Sequence, residues 1–446
     1  MWERLLQQAW NAVGGAAGEP DRLTVTGPMD TLRSRFRVTG VGVAAVGASL
    51  LAATTAGRDP VGLDTRQLAV ALRSERYLRR DGARAGDPFD PLSAFHRTAD
   101  GWLRLHANYP WHRAAALRVL GCDGSAGPDE LAAAVRRWSS VELETALHEA
   151  GGVAAAVRTE QEWWATEAGR AARSLPLVER RDLGPAAPRP QRRPRVLDLT
   201  RVIAGPVATR TLAAHGADVL RLDAPGRPEI PLQYWDTLPG KRSALLDLRT
   251  DGTRLEELLA GADVVVTGYR PGALDRFGLE PRKLAARHPG LTIVTLSAWG
   301  HRGPWAQRRG FDSLVQAATG IGFVESGGDP QRPPGALPAQ VLDHATGYLA
   351  AAATLVALAG QRRTGGTPHV RLSLVGTAAW LLDQPRADGP VEVAEVDAAP
   401  HLEVVDAPDG RLTLASPPGT VHGGGLHWPA PAPAFGSATP AWTPVV

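Results

Sequence analysis

The segment Gln340-Val341-Leu342-Asp343-His344-Ala345-Thr346-Gly347 sets a carboxylate and an imidazole side by side just before an apolar run. A carboxylate there has two uses. As an N-cap it satisfies the orphan amides of a helix start. As a nucleophile it attacks an acyl carbon and carries the acyl group covalently. The uses are compatible, because helix amides and the macrodipole also keep a carboxylate ionised. Asp343 is therefore singled out, with the N-cap and nucleophile readings both open. Other chemistries lack their signatures: there is no GxSxG elbow, no GxxxxGK(S/T) loop, no HExxH and no paired CxxC. The twelve histidines show no metal-ligand spacing with a carboxylate partner, so no metal is expected. Gly40-Val41-Gly42 begins like a dinucleotide fingerprint, but the third glycine falls at Gly47. The βαβ unit ending at Asp223 lacks a Gly-rich turn, so nicotinamide binding is not expected. His422-Gly423-Gly424-Gly425 reads either as a loop that closes over a site or as a turn of the tail.

Two regions must position Asp343, and they meet at a linker, residues 182–195, DLGPAAPRPQRRPR, whose prolines deny helix. Before it, Leu131–Arg137, Val141–Glu149 and Gln161–Arg173 have helical spacing, with Ser140 as an expected N-cap and a strand within residues 100–106. After it, strands are expected at 196–199, 218–222, 244–248, 263–267 and 291–296, with a helix at 206–214. Tyr348–Ala359 reads as a long apolar helix, and the tail from Pro408 as mostly irregular. Strand–helix alternation predicts an α/β fold, a parallel helix-covered (Rossmann-like) sheet domain plus a smaller, mainly helical α+β domain. Residues 41–78 run parallel to 348–381: a small-residue apolar helix, a Gly/Arg-rich break, an alternating strand and a second helix.

The chain has 446 residues, which predicts two or three domains at about 150 residues each. With 43% hydrophobic and 21% charged residues it is an ordinary globular chain. A net charge of +3 is too small to imply a nucleic-acid partner. Only Lys241 and Lys283 among the 49 cations are lysines, a bias so uniform that it reads as genome composition. One cysteine, Cys122, fits a reducing compartment, and Met1–Leu5 does not open a signal peptide, so the expected location is the cytoplasm. The uncharged stretch 41–57 is shorter than the roughly 20 residues a bilayer span needs and reads as a buried helix; no membrane partner is expected.

From Arg195 onward the chain resembles the class III coenzyme A transferases (CaiB/BaiF-like), the superfamily of formyl-CoA and carnitine-CoA transferases and α-methylacyl-CoA racemases. Five blocks carry the resemblance, in order: RVLDLTRVIAGPVATRTLAAHGADVLRLD (195–223), GKRSALLDL (240–248), ADVVVTGYRPGALDRFGL (262–279), LSAWGHRGPWAQRRGFDSLVQAATG (296–320) and DHATGYLAAAATLVALAGQRRTGG (343–366). The resemblance implies that Asp343 is the catalytic aspartate and that Arg270 lies near the CoA nucleotide. It implies that Lys241 and Arg242 form a basic turn suited to CoA phosphates, and that Ile203 and Ala204 line the thioester site. Gln316 fits the transferase-like FDxxxQA pattern. Phe311 stands where the racemase branch has a histidine, which disfavours a two-base racemase.

The implied activity is transfer of CoA from an acyl-CoA donor to a carboxylic acid, through an aspartyl anhydride and an aspartyl-CoA thioester, with acyl-CoA as substrate and no prosthetic group. Backbone amides near Gly347 or in a mobile glycine loop are the expected oxyanion donors. Two alternatives stay open: an acyl-CoA isomerase or dehydratase, for which His106 and His344 are the candidate second acid/base, and a non-catalytic CoA-binding homologue. The domain order departs from the family. Residues 1–181 resemble the back half of one copy, including a small domain at about 96–165, with the position matching Asp343 falling near Thr39. Residues 196–446 resemble a second copy without its small domain. Arg79-Arg80-Asp81-Gly82 stands where the family has a glycine-rich loop. Because family members interlock as dimers, and the apolar helix from Tyr348 needs cover, a homodimer is expected, each site closed by the N-terminal region.

Overall fold

Short β-branched and leucine runs followed by helices, joined by one polar edge strand, assemble into a seven-stranded sheet. Its strands are β1 (Glu179–Asp182), β2 (Arg195–Leu199), β3 (Asp218–Asp223), β4 (Lys241–Leu245), β5 (Val264–Thr267), β6 (Thr292–Ser297) and β7 (Pro368–Ser373). The computed structural model describes residues 2–54, 59–386 and 393–443. The spatial order is β4-β3-β2-β5-β6-β7-β1, with β2 to β7 all parallel and β1 antiparallel to β7. Counted from β2, the six parallel strands follow the 3-2-1-4-5-6 order of doubly wound sheets. The order reverses between β2 and β5, which pair with Leu197 opposite Val265. A crevice therefore opens at the carboxyl ends of these two strands, where the loops after Leu199 and Thr267 diverge.

Five helices matter for the site: α1 (Val38–Ala53), α2 (Ser74–Tyr77), α3 (Ala204–Ala214), α4 (Asp312–Ala318) and α5 (Val341–Thr364). Helix α5 is long and apolar enough to cross a bilayer by length and composition, yet it is mostly buried within the fold. It packs on α1 and α3. Helix α1 is itself buried throughout, its small residues letting Leu5, Leu23 and Leu72 press against Gly40, Gly47 and Gly42. Each Ala-rich helix thus covers the other inside one chain, and the cover expected from a second subunit is supplied by α1. The stretch 41–57 is helical through Ala53; residues 55–57 lie outside the described residues. The internal similarity is structural as well. After α1 come a strand (Val61–Asp64) and a helix (Thr65–Ala71), and after α5 come β7 and the helix Leu374–Leu382.

The small region has its own core. Strands Phe95–Arg97, Trp102–Leu105 and Ala154–Ala156 form an antiparallel sheet backed by helices Pro110–Leu120, Pro128–Val135 and Ser140–Glu149.

Several expected boundaries shift. The N-cap is Ser139, not Ser140, its hydroxyl accepting from the Glu142 N–H. The helical run at 161–173 is two helices, Glu160–Ala165 and Glu167–Arg173, because Thr166 takes an extended backbone and caps the second. Strand β4 starts at Lys241, three residues before the expected 244, because the backbone from Lys241 on already pairs with β3, Lys241 opposite Val219. The tail is less irregular than expected: Leu402–Ala407 and Gly410–Ala415 form a hairpin. Arg79-Arg80-Asp81-Gly82 makes a tight hairpin with positive φ at Asp81 (51°) and Gly82 (80°), the geometry of a primed two-residue turn. The linker is a bound strap. Arg189 donates to the carbonyls of Ala262 (2.5 Å) and Pro289 (3.1 Å), and its own N–H reaches Gln361 Oε1 at 3.1 Å.

Candidate functional site

Asp343 does not cap its helix. It is the third residue of α5, after Gln340, which makes no side-chain cap. The cap comes from another helix: the Asp312 carboxylate, at the start of α4, accepts the N–H groups of Leu342 and Asp343, the latter at 2.9 Å. This frees the Asp343 carboxyl to turn toward α3, where it accepts the Ala204 N–H. Two helix starts thus converge on two carboxylates, an arrangement in which orphan amides favour negative charge.

The chain before Ala204 is strained into place. Val202 has φ 70°, an outlier for a β-branched residue. Its N–H donates to Glu229 Oε2 at 3.0 Å. Glu229 is held in turn by the Tyr109 hydroxyl (2.5 Å) and by Arg221 (3.0 Å), which also grips Asp223. Burial alone would raise the Glu229 carboxyl, but Arg221 and Arg201 outweigh it and hold the group below its ordinary range. A buried ionic frame therefore fixes the turn that delivers Ile203 and Ala204 to Asp343.

A cleft between the two halves of the chain opens onto this turn at Val202 and Ile203. Ile203, Phe311 and Asp343 come from the sheet half; Glu75, Phe89, His106 and Asn108 come from the N-terminal half. His106 stacks flat on Phe311, ring centroids 3.7 Å apart. Burial, with His112 and Arg104 nearby, pushes its imidazole well below the ordinary range, so it is neutral.

Asp343 is 5% exposed. Burial raises its carboxyl well above the usual range, and the charges of Asp312 and Glu75 raise it further, against the Ala204 N–H. Asp312 is pushed up to about 6, by burial above all.

The structure brings Asp343, Ile203 and Ala204 together and disperses the other expected contacts. Gln316 lies behind the site: it donates to Asp312 Oδ1 and accepts the Leu337 N–H, so it braces the helix cap and does not face the cleft. Lys241 is buried, with Nζ donating to Asp198 Oδ2 (3.1 Å), the Pro206 carbonyl (2.9 Å) and Thr209 Oγ1 (2.6 Å). All three ammonium donors are spent inside the fold, which corrects its expected phosphate role. Burial lowers it to about 8. Arg242 sits near the amino end of β4, away from the crevice, where it pairs with Asp218 (3.0 Å) and donates to the Ala441 carbonyl (2.7 Å). It pins the C-terminal tail, not a phosphate. Arg270 is exposed on the loop after β5, its side chain making among the described residues a single long hydrogen bond, 3.4 Å to the Gln307 carbonyl. It lines a second cleft of about 800 Å³ along the carboxyl ends of β5 to β7. Gly347 lies inside α5, its N–H used within the helix, so it offers no oxyanion donor. His422–Gly425 is the turn of a tail hairpin that pairs with Val61–Gly62, not a cover for the cleft. Glu75 carries no motif; its only sequence signal is its place near the end of the first copy of the internal similarity.

The family model for CoA-transferase family III matches residues 193–416, half of the chain. The probable fatty acyl-CoA transferase Rv3272 of Mycobacterium tuberculosis is 34% identical over 204 residues, covering 42% of this chain and 51% of that protein. An acyl-CoA transferase of Gibberella moniliformis is 31% identical over 322 residues, covering 65% of this chain and 56% of that protein. A crystal structure of the Mycobacterium tuberculosis protein aligns with a TM-score of 0.40 at 34% identity, over 44% of this chain and 58% of that one. The chain spans about half the length of the curated relatives it matches. With the matched segment containing β2 to β7, the Val202–Ala204 turn and Asp343, the chain belongs to CoA-transferase family III.

Proposed function

We propose that this protein transfers coenzyme A from an acyl-CoA donor to a carboxylic acid, with Asp343 as the covalent carrier. One observation carries the reading: the Asp343 carboxyl faces the cleft between the two halves and meets the first amide of α3. The ionised Asp343 attacks the thioester carbonyl, the C–S bond breaks, and CoA leaves as thiolate. The thiolate attacks the aspartyl carbonyl of the mixed anhydride and releases the donor's carboxylate. The acceptor carboxylate then attacks the aspartyl-CoA thioester and expels CoA thiolate, which takes the acyl group and frees Asp343. Each attack builds an oxyanion, and the Ala204 N–H at a helix start is the donor nearest that charge.

The isomerase alternative needs a second acid/base opposite Asp343. His106 serves poorly, because it is buried, kept neutral and covered by Phe311. The test is incubation with a panel of acyl-CoAs followed by hydroxylamine trapping and mass spectrometry. A modified Asp343, absent in Asp343→Asn, is the expected result. An unmodified Asp343 with α-proton exchange in heavy water would overturn the reading in favour of an isomerase, and neither signal would leave a CoA-binding protein.

A further inference from the structure

We infer that Glu75 is a positioning residue for Asp343: a second carboxylate, carried to the cleft by the N-terminal half and held beside His344, whose charge tunes the reactivity of Asp343. Its catalytic meaning rests on the reading of Asp343 as the nucleophile; the coupling between the two carboxyls does not.

Glu75 lies on the single turn of α2, and a buried cluster fixes that turn. The Ser74 hydroxyl donates to Asp236 Oδ2 at 2.8 Å, and Arg210 donates to both Ser74 Oγ (3.2 Å) and Asp236 Oδ2 (3.0 Å). The next side chain, Glu75, is 10% exposed and lines the cleft with Asp343. Its Oε2 stands 3.7 Å from Nε2 of His344, the residue after Asp343 on α5. Neither this oxygen nor either ring nitrogen of His344 has a hydrogen-bond partner among the described residues. The pair is within ionic reach; burial alone would raise the Glu75 carboxyl, but His344 and Arg76 beside it hold it below its ordinary range.

Other charged groups face the pair: Arg76 is a weak second partner of Glu75, and Asp312 acts on Asp343 from the sheet half. Arg76 Nε is 3.9 Å from the far oxygen of Glu75. Asp236 is paired with Arg210. Asp312 is bonded to the amides of α5. His106 is neutral. A negative Glu75 beside a buried carboxyl favours that carboxyl's protonated form. Burial and the Asp312 charge act on Asp343 from the sheet half, and Glu75 adds a further charge from the other half of the chain.

The experiment uses the full chain with Glu75→Gln and Glu75→Asp, each with and without Asp343→Asn. Urea unfolding from about pH 5 to 8.5 gives the stability gained on Asp343→Asn, which isolates the cost of ionising Asp343 in the fold. If Glu75 acts as inferred, that gain at pH 8 falls at least twofold in the Glu75→Gln background, and Glu75→Asp lies between Gln and wild type. In parallel, the pH midpoint for adduct formation at Asp343 moves down by about one unit in Glu75→Gln. A Glu75 that only braces α2 would leave both readouts in place, and equal gains in all backgrounds would overturn the inference. Where Glu75→Gln does not fold, Glu75→Asp alone must still shift the gain; no shift overturns it. A reduced gain without any adduct in the wild type would uphold the coupling and overturn the nucleophile reading instead.

Discussion

The Asp343 N–H donates to Asp312 Oδ2 at 2.9 Å, so the cleft carboxylate hangs from the residue that caps its own helix. Capping from α4 explains why Asp343 can sit at the third position of α5 and still point its carboxyl away from the helix axis. Had Asp343 capped α5 itself, its oxygens would be tied to its own amides.

Asp312→Ala should therefore misplace Asp343 and slow adduct formation at least tenfold. Its effect on stability depends on pH. Asp312 is raised by burial to about 6, so ionising it costs the folded state stability that is present at low pH and lost as pH rises through that value. The variant escapes this loss but leaves two amides without an acceptor, at about 1–3 kcal/mol each. Urea unfolding should show a larger loss at pH 5 than at pH 8; equal losses would contradict the assigned proton state.

Gly347→Ala should impair transfer more than folding. A Cβ at this position would lie 2.6 Å from the Ala204 carbonyl oxygen and 2.9 Å from Val207 Cβ, so α3 and α5 must separate to admit it. The Ala204 N–H then leaves Asp343. Overpacking of this kind costs about 1–3 kcal/mol, while adduct formation should fall by about tenfold or more, as for an oxyanion donor displaced from its acceptor. Retention of full adduct rate at a reduced unfolding midpoint would show that the amide is dispensable.

The sheet was legible in the order of short strands and helices because burial on both faces leaves continuous apolar runs such as Val264–Val266. Asp343 stood out through the block 343–366 that resembles the family; its place before an apolar helix alone left the N-cap reading open, and that reading falls because Asp312 caps the helix. Lys241 and Arg242 misled, because a glycine followed by two cations looks like a phosphate turn until one sees that Asp198 and Asp218 already occupy them. Glu75 was not legible: in RSERY it resembles any solvated helix charge, and the tertiary fold alone brings it to His344. Asp312 was visible within its motif, but its role as the cap of a different helix is a tertiary fact that spacing does not encode.

Mild acid should destabilise the protein before any carboxylate titrates normally. Burial, chiefly, lowers His112 and His369 to about 3 and His148 and His215 to about 4. In the unfolded chain these imidazoles take up protons near pH 6.5, whereas the folded state refuses them. Stability contributed by neutral histidines is thus present above about 6.5 and lost as pH falls below it. The urea midpoint should drop steadily from pH 7 to pH 4.5, and His215→Gln or His369→Gln should flatten part of that slope. An unchanged slope in both variants would mean that these sites accept protons while folded.

Two cations expected to bind CoA should separate cleanly by experiment. Lys241→Met removes the partner of the fully buried Asp198 and should cost about 3–5 kcal/mol, the penalty for leaving a buried charge alone. Whatever fraction remains folded should bind CoA normally. Arg270→Ala should leave the unfolding midpoint unchanged, since this exposed side chain makes one long bond among the described residues. It should weaken CoA binding by about 1–3 kcal/mol, the range for a hydrogen bond to a charged group. The loss should vanish with a pantetheine thioester, which lacks the nucleotide, because Arg270 lies on the loop after β5 and not in the cleft that holds Asp343. Calorimetric titration with both ligands decides the matter: an equal loss for CoA and pantetheine would place Arg270 at the thioester end, and no loss for either would leave it a solvated charge.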